Sequence, residues 1–327
     1  MDMWTTRARR TTRRLVSVLT ASALVAGLCG VLTSAAVAGI IDSCKARDPN
    51  SGATSSDLQV IIDGAKSGDE IVVQGVCTGN FTVDKDLQFS GSGQAALDGN
   101  NSGSVVTILA RLEVSFKNLL ITHGSAVGGG GIEMKGQIVA GAITASDSTV
   151  NLYGHAQVNY NSATRGGIFG RIGGGGIDNF GGTVNLYGHA QVNYNSTNSV
   201  GGGIFDAGDV EPIEPPVNLY GHAQVDHNTA RFSGGGIFSG DVTLSGFSEV
   251  NDNTTGGYGG GIFFGGLGSL TLKDAASITG NTAGVSDGGI FGPTTLTACD
   301  NRGPDKWTGA ISPNTPDDPP SVTLVAC

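Results

Sequence analysis

A twelve-residue segment recurs five times along the chain and constrains the fold more than any other feature of the sequence. The segment VNLYGHAQVNYN begins at Val150 and again at Val184, and it returns as VNLYGHAQVDHN from Val217. Two more divergent copies, VTLSGFSEVNDN and LTLKDAASITGN, begin at Val242 and Leu270. Every copy has Leu in its third position, Val or Ile in its ninth and Asn in its twelfth. One structural unit is therefore repeated.

Within one copy the side chains alternate with a period of two. Val150 and Leu152 share one parity, whereas Asn151 and Tyr153 have the other, which indicates β-strand. Gly154 is expected to bend the chain between two short strands. The terminal Asn, followed by Ser or Thr and a glycine run, has the composition of a turn, and the Ile after the glycines starts another strand. Each unit should therefore hold about three short strands, three turns and no helix.

The spacing of the copies indicates how the units assemble. The terminal asparagines follow one another after 34, 33, 25 and 28 residues, as in a repeat array. One unit cannot bury its apolar face alone, so the copies must stack, Leu on Leu and Val on Val, about 4.8 Å apart. The sequence therefore predicts an all-β fold, a parallel β-helix solenoid of about eight coils between Ile71 and Phe291.

The two ends of the array differ from its middle. Residues 56–73 have the pattern of a short N-capped helix, a turn and a strand, and such a helix would cover the open apolar end of the first coil. The tail after Asp300 is rich in turn residues and is expected to close the last coil. We expect a solenoid over 39–300, with a cap at 39–70 and coils at 71–298, and a closing tail at 301–327.

The repeated motif GGGIF…VxLxGxAxVxxNxA, between about Asp57 and Cys299, resembles the repeats of bacterial polymorphic outer membrane proteins. Those repeats are similar to the right-handed parallel β-helices of the pectin-lyase-like superfamily. The resemblance implies a right-handed solenoid with an N-terminal capping helix. It implies no single function, because that superfamily contains lyases, hydrolases and adhesins.

Residues 1–38 have the composition of an export signal, with a basic start (RARRTTRR), an apolar run from Leu15 to Val37 and small residues before Gly39. A retained transmembrane anchor is the alternative, because the run is long enough to span a bilayer. An arginine pair at residues 13 and 14 leaves the twin-arginine route open beside the general secretory route. We expect a secreted or cell-surface bacterial protein, with no membrane span in the mature chain.

Charge narrows the range of partners. Removal of residues 1–38 leaves 13 basic and 27 acidic residues, a net charge of −14. This charge argues against nucleic acid and anionic membrane surfaces as partners. Glycine makes up 55 of the 327 residues but shows no period of three, which excludes a collagen-like chain.

An even number of cysteines in an exported chain favours disulfide bonds. Sequence proximity favours the first with the second and the third with the fourth, one bond near each end of the solenoid. A metal site is the weaker alternative, because there is no CxxC spacing and no His nearby. The four cysteines of the mature chain are Cys44, Cys77, Cys299 and Cys327.

Stacking of the three most similar copies predicts two rows of outward-facing rings. Tyr153, Tyr187 and Tyr220 should form an aromatic row that either stacks on sugar faces or stabilises the solenoid. His155, His189 and His222 should form a parallel row, and parallel side chains converge poorly on a zinc ion, so we expect a surface ladder and no metal.

Catalysis needs unrepeated residues, and the glycine-run strands offer two. Glu133 and Asp178 occupy a position that is Phe in the other copies, and they would lie on adjacent coils with Lys135 and Arg171 nearby. A solvated edge is the alternative interpretation. No cofactor is expected, although Asp206, with three further acids of the loop at 206–216, could hold calcium weakly. Those three are Asp209, Glu211 and Glu214.

The last residue of each copy is predicted to form an internal ladder at one turn of the solenoid. A carboxamide carries donors and an acceptor, so a stack of identical side chains can satisfy itself. Surface glycosylation is the competing interpretation, but only Asn253-Thr254-Thr255 completes the acceptor triplet. The ladder residues are Asn161, Asn195, Asn228, Asn253 and Asn281.

These features favour an exported, non-catalytic, adhesin-like β-helix that presents an extended surface to a polysaccharide or another cell-surface component. The alternative is a polysaccharide lyase or glycoside hydrolase. Residues copied in every coil are usually structural, whereas catalysis needs one asymmetric constellation, so the sequence leans against an enzyme.

The export signal and the disulfides give a first prediction. The secreted protein should begin at or near Gly39, and its mass should be lower than that of the reduced chain by two hydrogens for each disulfide bond. Intact mass spectrometry before and after reduction measures both. A secreted chain that retains Leu15, or a free thiol at Cys44 or Cys299, would contradict it.

Overall fold

Parallel strands stacked coil on coil make up most of the protein. The computed structural model describes residues 43–136, 138–139, 142–143, 147–164, 173–206, 216–292, 295–299, 308–316 and 323–325, all within the unit Asp42–Cys327. Among these residues 21 strands form one large sheet, six short strands form a second, and two more pair as a small third sheet. The predicted all-β fold and parallel solenoid are confirmed, whereas the number of coils and their handedness stay predictions.

The N-terminal part contains the helix and the first nine strands. In chain order they are β1 (Lys45–Arg47), β2 (Thr54–Ser55), α1 (Leu58–Gly64), β3 (Glu70–Thr78), β4 (Phe81–Val83), β5 (Leu87–Asp98), β6 (Val106–Ile108), β7 (Glu113–Lys117), β8 (Leu120–Thr122) and β9 (Ser125–Ala126).

The glycine-rich repeats contain the remaining strands, which are shorter on average. They are β10 (Ile132–Met134), β11 (Ile138–Val139), β12 (Ala142–Ile143), β13 (Thr149–Tyr153), β14 (Gln157–Asn159), β15 (Ser162–Ala163), β16 (Ile177–Asn179), β17 (Thr183–Leu186), β18 (Gln191–Asn193), β19 (Ser196–Thr197), β20 (Ile204–Asp206), β21 (Pro216–Leu219), β22 (Thr229–Ala230), β23 (Ile237–Leu244), β24 (Thr254–Thr255), β25 (Ile262–Leu272), β26 (Thr282–Ala283), β27 (Ile290–Phe291), β28 (Thr295–Cys299) and β29 (Thr323–Val325).

Equivalent residues of successive copies pair directly. Val150 lies opposite Val184, which lies opposite Val217, and the strands that follow the glycine runs pair Ile177 with Ile204. All of these side chains are fully buried. The inward-facing side chains of the stacked strands therefore form continuous apolar columns. These columns supply the hydrophobic core that a single unit lacks.

The repeat contains one more strand than the sequence predicted. After Asn161 the residues Ser162–Ala163 form β15, which pairs in parallel with β19 and with β9. This row continues through β22, β24 and β26 as the six-stranded sheet. Two-residue strands are too short to show a period of two, so the sequence pattern could not reveal them.

Helix α1 lies at the N-terminal end, as predicted. The side chain of Asp57 accepts a hydrogen bond from the backbone N–H of Gln59 at 3.0 Å, which caps the helix. Leu58, Ile61 and Ile62 are buried, and the Gln59 amide bonds to the backbone of Thr82 on both sides. The helix thus covers apolar groups of the first coils that would otherwise meet water.

The Cys44–Cys77 disulfide is present and confirms the predicted pairing at this end. It joins the residues just before β1 to β3, whose strands also pair in antiparallel fashion. The side chain of Cys299 and the whole of Cys327 lie outside the described residues, so the second disulfide stays a prediction. In the part of the chain that the structure describes, no helix is both long and apolar enough to span a membrane.

The terminal asparagines of the copies form a continuous buried column. The backbone N–H and the side-chain Nδ2 of Asn161 both donate to Oδ1 of Asn195, at 3.0 and 3.1 Å. Asn195 makes the same pair of bonds to Asn228 at 2.9 and 3.1 Å. Each Nδ2 also donates to a backbone oxygen of a neighbouring coil, as Asn195 does to Val158 at 2.7 Å. Every carboxamide in the column is therefore satisfied although it is buried.

The column is longer than the sequence predicted. Asn281 was expected to be its last member, and this expectation is wrong. Asn314 follows it and accepts hydrogen bonds from the backbone N–H and Nδ2 of Asn281, both at 3.0 Å. The segment 308–316 thus adds another rung, and Thr315 pairs in parallel with Thr282.

The last glycine of each glycine run packs against this column. A Cβ on Gly203 would lie 2.9 Å from Nδ2 of Asn228, and one on Gly236 would lie 2.8 Å from Nδ2 of Asn253. The preceding glycine is more confined, since a Cβ on Gly202 would lie 2.2 Å from the carbonyl oxygen of Gly235. The glycine runs therefore exist because the backbone must approach the ladder more closely than any side chain allows.

The ladder predicts a position-dependent cost of substitution. Asn195→Ala would leave the buried backbone N–H of Asn161 without its acceptor and would remove the Nδ2 bonds to Asn228 and Val158, so we expect a loss of about 2–3 kcal/mol in the free energy of unfolding. Asn314→Ala, at the end of the column, should cost less, about 1 kcal/mol. Urea unfolding measures both. Thr254→Ala, at an exposed neighbour of Asn253, is the control and should stay within about 0.5 kcal/mol; an equally small loss for Asn195→Ala would contradict the ladder.

Candidate binding surface

The outward side chains of three successive copies form a surface that we call the repeat face. It consists of the outward residues of segments 149–160, 183–194 and 216–227, whose strands pair in register. Because copied residues meet directly, each outward position becomes a row that runs from coil to coil.

The tyrosine row lies in the middle of the repeat face. The ring centroids of Tyr153 and Tyr187 are 4.9 Å apart, those of Tyr187 and Tyr220 are 5.1 Å apart, and both pairs are within 10° of parallel. Partial burial, followed by the neighbouring Tyr187, raises the pKa of both Tyr153 and Tyr220 above the ordinary value. Their hydroxyls therefore stay protonated, and able to donate hydrogen bonds, at neutral pH.

This stacking corrects one expectation for the row. The sequence suggested that each tyrosine could lay a ring face on a sugar, but consecutive faces cover one another. A sugar ring cannot enter a gap that two rings already fill at contact distance. Within the row, Tyr187 can therefore offer a ligand only its edge and its hydroxyl.

The histidine row runs beside the tyrosines. His155, His189 and His222 stack with centroids 5.0 and 4.8 Å apart, and the row ends on Phe247, whose ring lies 4.9 Å from that of His222. Among the residues that the structure describes, no three His, Cys, Asp or Glu side chains are placed to hold a metal ion.

A second aromatic row escaped the sequence analysis. Tyr160, Tyr194 and His227 stack with centroids 5.1 and 4.9 Å apart, and the two tyrosines are 57% and 47% exposed. All three have positive φ, between 57° and 59°. They occupy the eleventh position of their copies, and the recurrence of an aromatic there was the signal that could have revealed the row.

Amide rows flank the aromatic ones. Nδ2 of Asn218 donates to Oδ1 of Asn185 at 2.9 Å, and Nδ2 of Asn185 donates to Oδ1 of Asn151 at 2.9 Å. On the other side, Nε2 of Gln191 donates to Oε1 of Gln224 at 2.9 Å. The repeat face thus combines hydroxyl, amide, imidazole and aromatic groups.

Formal charge is nearly absent from the repeat face. Its three segments contain no Lys, Arg or Glu, and their one carboxylate is Asp226, which takes the place of Asn159 and Asn193. Asp226 is largely buried, and this burial, together with Glu249 and Asp252, raises its pKa to about 7 although the N–H of Asn251 donates to it. An uncharged area on a chain of net charge −10 is a distinct feature of the surface.

The two unrepeated acids lie apart from the repeat face. Glu133 pairs in register with Asp178 on adjacent strands, and they are only 8% and 2% exposed, so the expectation of a solvated edge is wrong. Ser104 donates to Oε2 of Glu133 at 3.3 Å, and Nζ of Lys135 lies 3.8 Å from the same oxygen.

A glycine lets these two carboxylates approach the same point of the backbone. A Cβ on Gly128 would lie 2.8 Å from Oδ2 of Asp178 and 3.0 Å from Oε1 of Glu133. Glu133 also lines a cleft, together with Asn80, Ser104 and further residues that are mostly small. Arg171, the third residue of the catalytic hypothesis, lies outside the described residues.

Of the four acids that could hold calcium, Asp206 is the one that lies within the described residues. Asp206 is 1% exposed, and its carboxylate accepts hydrogen bonds from Nδ2 of Asn179 at 2.8 Å and from Oγ of Ser239 at 3.1 Å. Asp206 is therefore buried and hydrogen-bonded to residues of the neighbouring coils. Asp209, Glu211 and Glu214 lie outside the described residues.

Comparisons of the chain with models of protein families, with curated proteins and with solved structures found no match.

The buried carboxylate predicts a pH-dependent stability. The folded protein holds the Asp226 proton up to about pH 7, whereas the unfolded chain releases it near pH 3.8, the ordinary value. The contribution of Asp226 to stability is therefore largest below about pH 4 and is lost as the pH rises to about 7. Asp226→Asn keeps the acceptor for Asn251 and removes the charge. We expect a gain of about 1–3 kcal/mol at pH 8 and none near pH 4.

Urea unfolding of the parent and of Asp226→Asn at both pH values measures this difference. Asp63→Asn makes the same change at an exposed helix residue and serves as the control. A gain of equal size at pH 4 and pH 8 would show that the effect does not arise from ionisation.

Proposed function

We propose that this protein is an exported, non-catalytic β-helix protein, similar to the pectin-lyase-like solenoids, that binds a neutral polysaccharide through the repeat face. The observation that carries the proposal is the set of uncharged rows that repeat at 4.8–5.1 Å over adjacent coils. A surface that presents the same groups at each step suits a ligand that is itself a repeating chain.

The chemistry of the rows supports the choice of a sugar polymer. Sugars offer many hydroxyls and no charge, and they are bound by amide and hydroxyl groups together with aromatic rings. The repeat face supplies amides from Asn185 and Gln191 and hydroxyls from Tyr153, Tyr187 and Tyr220. A polyuronate would gain no counter-charge here, because the face contains no Lys or Arg.

Export to a bacterial surface or to the medium rests on the sequence of residues 1–38 and on the Cys44–Cys77 disulfide. Disulfide bonds are characteristic of oxidising compartments outside the cytosol. Extracellular polysaccharide would be accessible to a protein in that location.

The second candidate is a polysaccharide lyase or a glycoside hydrolase. The observation that favours it is the close approach of Glu133 and Asp178 beside a cleft, since two carboxylates can share acid and base roles. Unsaturated products or new reducing ends after incubation with a polysaccharide, lost in Glu133→Gln, would establish this activity and overturn the non-catalytic proposal.

Retention on immobilised polysaccharides tests the binding proposal. We expect the protein to be retarded by at least one neutral polymer of a panel containing β-1,4-glucan, xylan and mannan, and not by polygalacturonate. Replacing Tyr153, Tyr187 and Tyr220 together by Ser should weaken retention at least about tenfold, because three hydroxyl contacts are displaced, each contributing about 0.5–1.5 kcal/mol.

Tyr258→Ser is the matched control, because it removes an exposed tyrosine from a different row. Circular dichroism should show the same β content in all variants. Failure of the parent to bind any neutral polymer, or equal loss in Tyr258→Ser, would contradict the proposed role of the repeat face.

A further inference from the structure

The rows of the repeat face end abruptly at the fourth copy. There the segment VTLSGFSEVNDN places Ser245 where the earlier copies have Tyr, and Phe247 where they have His. The backbone continues in register, since the N–H of Ser245 donates to the carbonyl of Leu219 at 2.9 Å and that of Phe247 to Gly221 at 2.6 Å. The change is therefore in the side chains and not in the coil.

The tyrosine row consequently has one ring with a different environment. Tyr187 lies between two rings, but Tyr220 stacks only on Tyr187, and on its other side the next coil presents the small Ser245. A serine side chain ends well short of the area that a tyrosine ring covers. The outer face of Tyr220 is therefore not covered by another ring of the row.

The opposite end of the row is not equivalent. Tyr153 pairs in register with Lys117 of the preceding coil. The four-carbon stem of a lysine can lie along a ring and cover it, which a serine cannot do. The two ends of the row thus differ in the size of the residue that faces the terminal ring.

Phe247 adds a second ring at the same place. It stacks on His222 with centroids 4.9 Å apart and planes within 5°, and it is 59% exposed. The N–H of Ala275 donates to the carbonyl of Gly246 at 2.8 Å, so the residue opposite Phe247 in the next coil is an alanine, whose side chain is a single methyl group. We call Tyr220, Ser245 and Phe247 the stack-end step.

We infer that the stack-end step is the subsite in which one sugar ring of the polysaccharide lies flat on an aromatic face. The face of Tyr220 forms one wall, Ser245 forms the floor with its hydroxyl, and the Phe247 ring flanks it one coil further along. This inference rests on the proposed function and adds the position at which binding is strongest.

The arrangement has the chemistry of a sugar site. The apolar C–H face of a pyranose packs on an aromatic ring, while the Ser245 and Tyr220 hydroxyls can bond to sugar hydroxyls. Elsewhere in the tyrosine row a sugar can contact only the edges and the hydroxyls of the rings. One sugar would thus be held by face and hydroxyl contacts, and its neighbours in the chain by the rows behind it.

A substitution that extends the row tests the inference. Ser245→Tyr would add a ring on Tyr220 and fill the step, so we expect retention on the neutral polysaccharide that binds the parent to fall at least about tenfold. Ser245→Ala leaves the step open but removes one hydroxyl contact, so it should weaken retention less than Ser245→Tyr, by about two- to fivefold. Lys117→Tyr extends the same row at its other end and should leave retention unchanged.

A second variant guards against misfolding of Ser245→Tyr. Phe247→Ala removes the flanking ring from an exposed position, and it should weaken retention roughly three- to tenfold. Circular dichroism and urea unfolding of each variant report the fold independently.

The outcomes separate the two proposals. A parent that binds no neutral polysaccharide would overturn the proposed function and the subsite with it. A parent that binds while Ser245→Tyr and Phe247→Ala bind equally well would overturn the subsite alone. Equal losses in Ser245→Tyr and Lys117→Tyr would also overturn it, because the ligand would then depend on the whole row.

Discussion

The satisfaction of buried carboxamides holds the coils of this protein in register. Asn195 and Asn228 are buried within the solenoid, where an unpaired amide would cost free energy. Each bonds to the equivalent asparagine of the next coil and to a backbone carbonyl of the preceding one. A shift of the pairing by one residue along a strand would break these hydrogen bonds. It would also turn the apolar side chains from the core to the solvent. The apolar columns stabilise the stack, but the ladder specifies its alignment.

This alignment explains why coils of different length can coexist. The ladder bonds join asparagines that are 34, 33, 25 and 28 residues apart, and their lengths stay between 2.9 and 3.1 Å. Coils of different length therefore return to the same column. The outward rows are a consequence of the same register, because copied residues on the outside must align when those on the inside do. Binding could therefore arise on this fold by changing outward residues alone.

The sequence predicted those parts of the structure that repeat with a recognisable period. Val150 and Leu152 identified the strands, and Asn161 with its equivalents identified the ladder. Asn314 was missed because it lies in SPNTP, which has none of the repeat's apolar positions. The burial of Glu133 and Asp178 was missed because it depends on glycines from other coils that leave room for the carboxylates, and such tertiary packing has no local signature. Tyr187 and Tyr220 were predicted to be members of one row, but the covering of one ring by the next became evident only from their measured separation.

The first two copies have identical sequences, and this makes the number of coils open to change by recombination. Residues 150–162 and 184–196 have the same sequence, so recombination between their coding segments would delete 34 residues without creating a new junction. Strand β13, which now lies between β7 and β17, would be lost, and β7 would pair with β17 in the same register. Ile132 would likewise pair with Ile204 in place of Ile177. The ladder would lose one asparagine without a gap, and the tyrosine row would lose one ring. Asp178 would disappear in the same event, leaving Glu133 beside Phe205, whereas duplication of the segment would lengthen the row by one coil. Heritable changes in copy number would thus lengthen or shorten the repeat face in whole-coil increments.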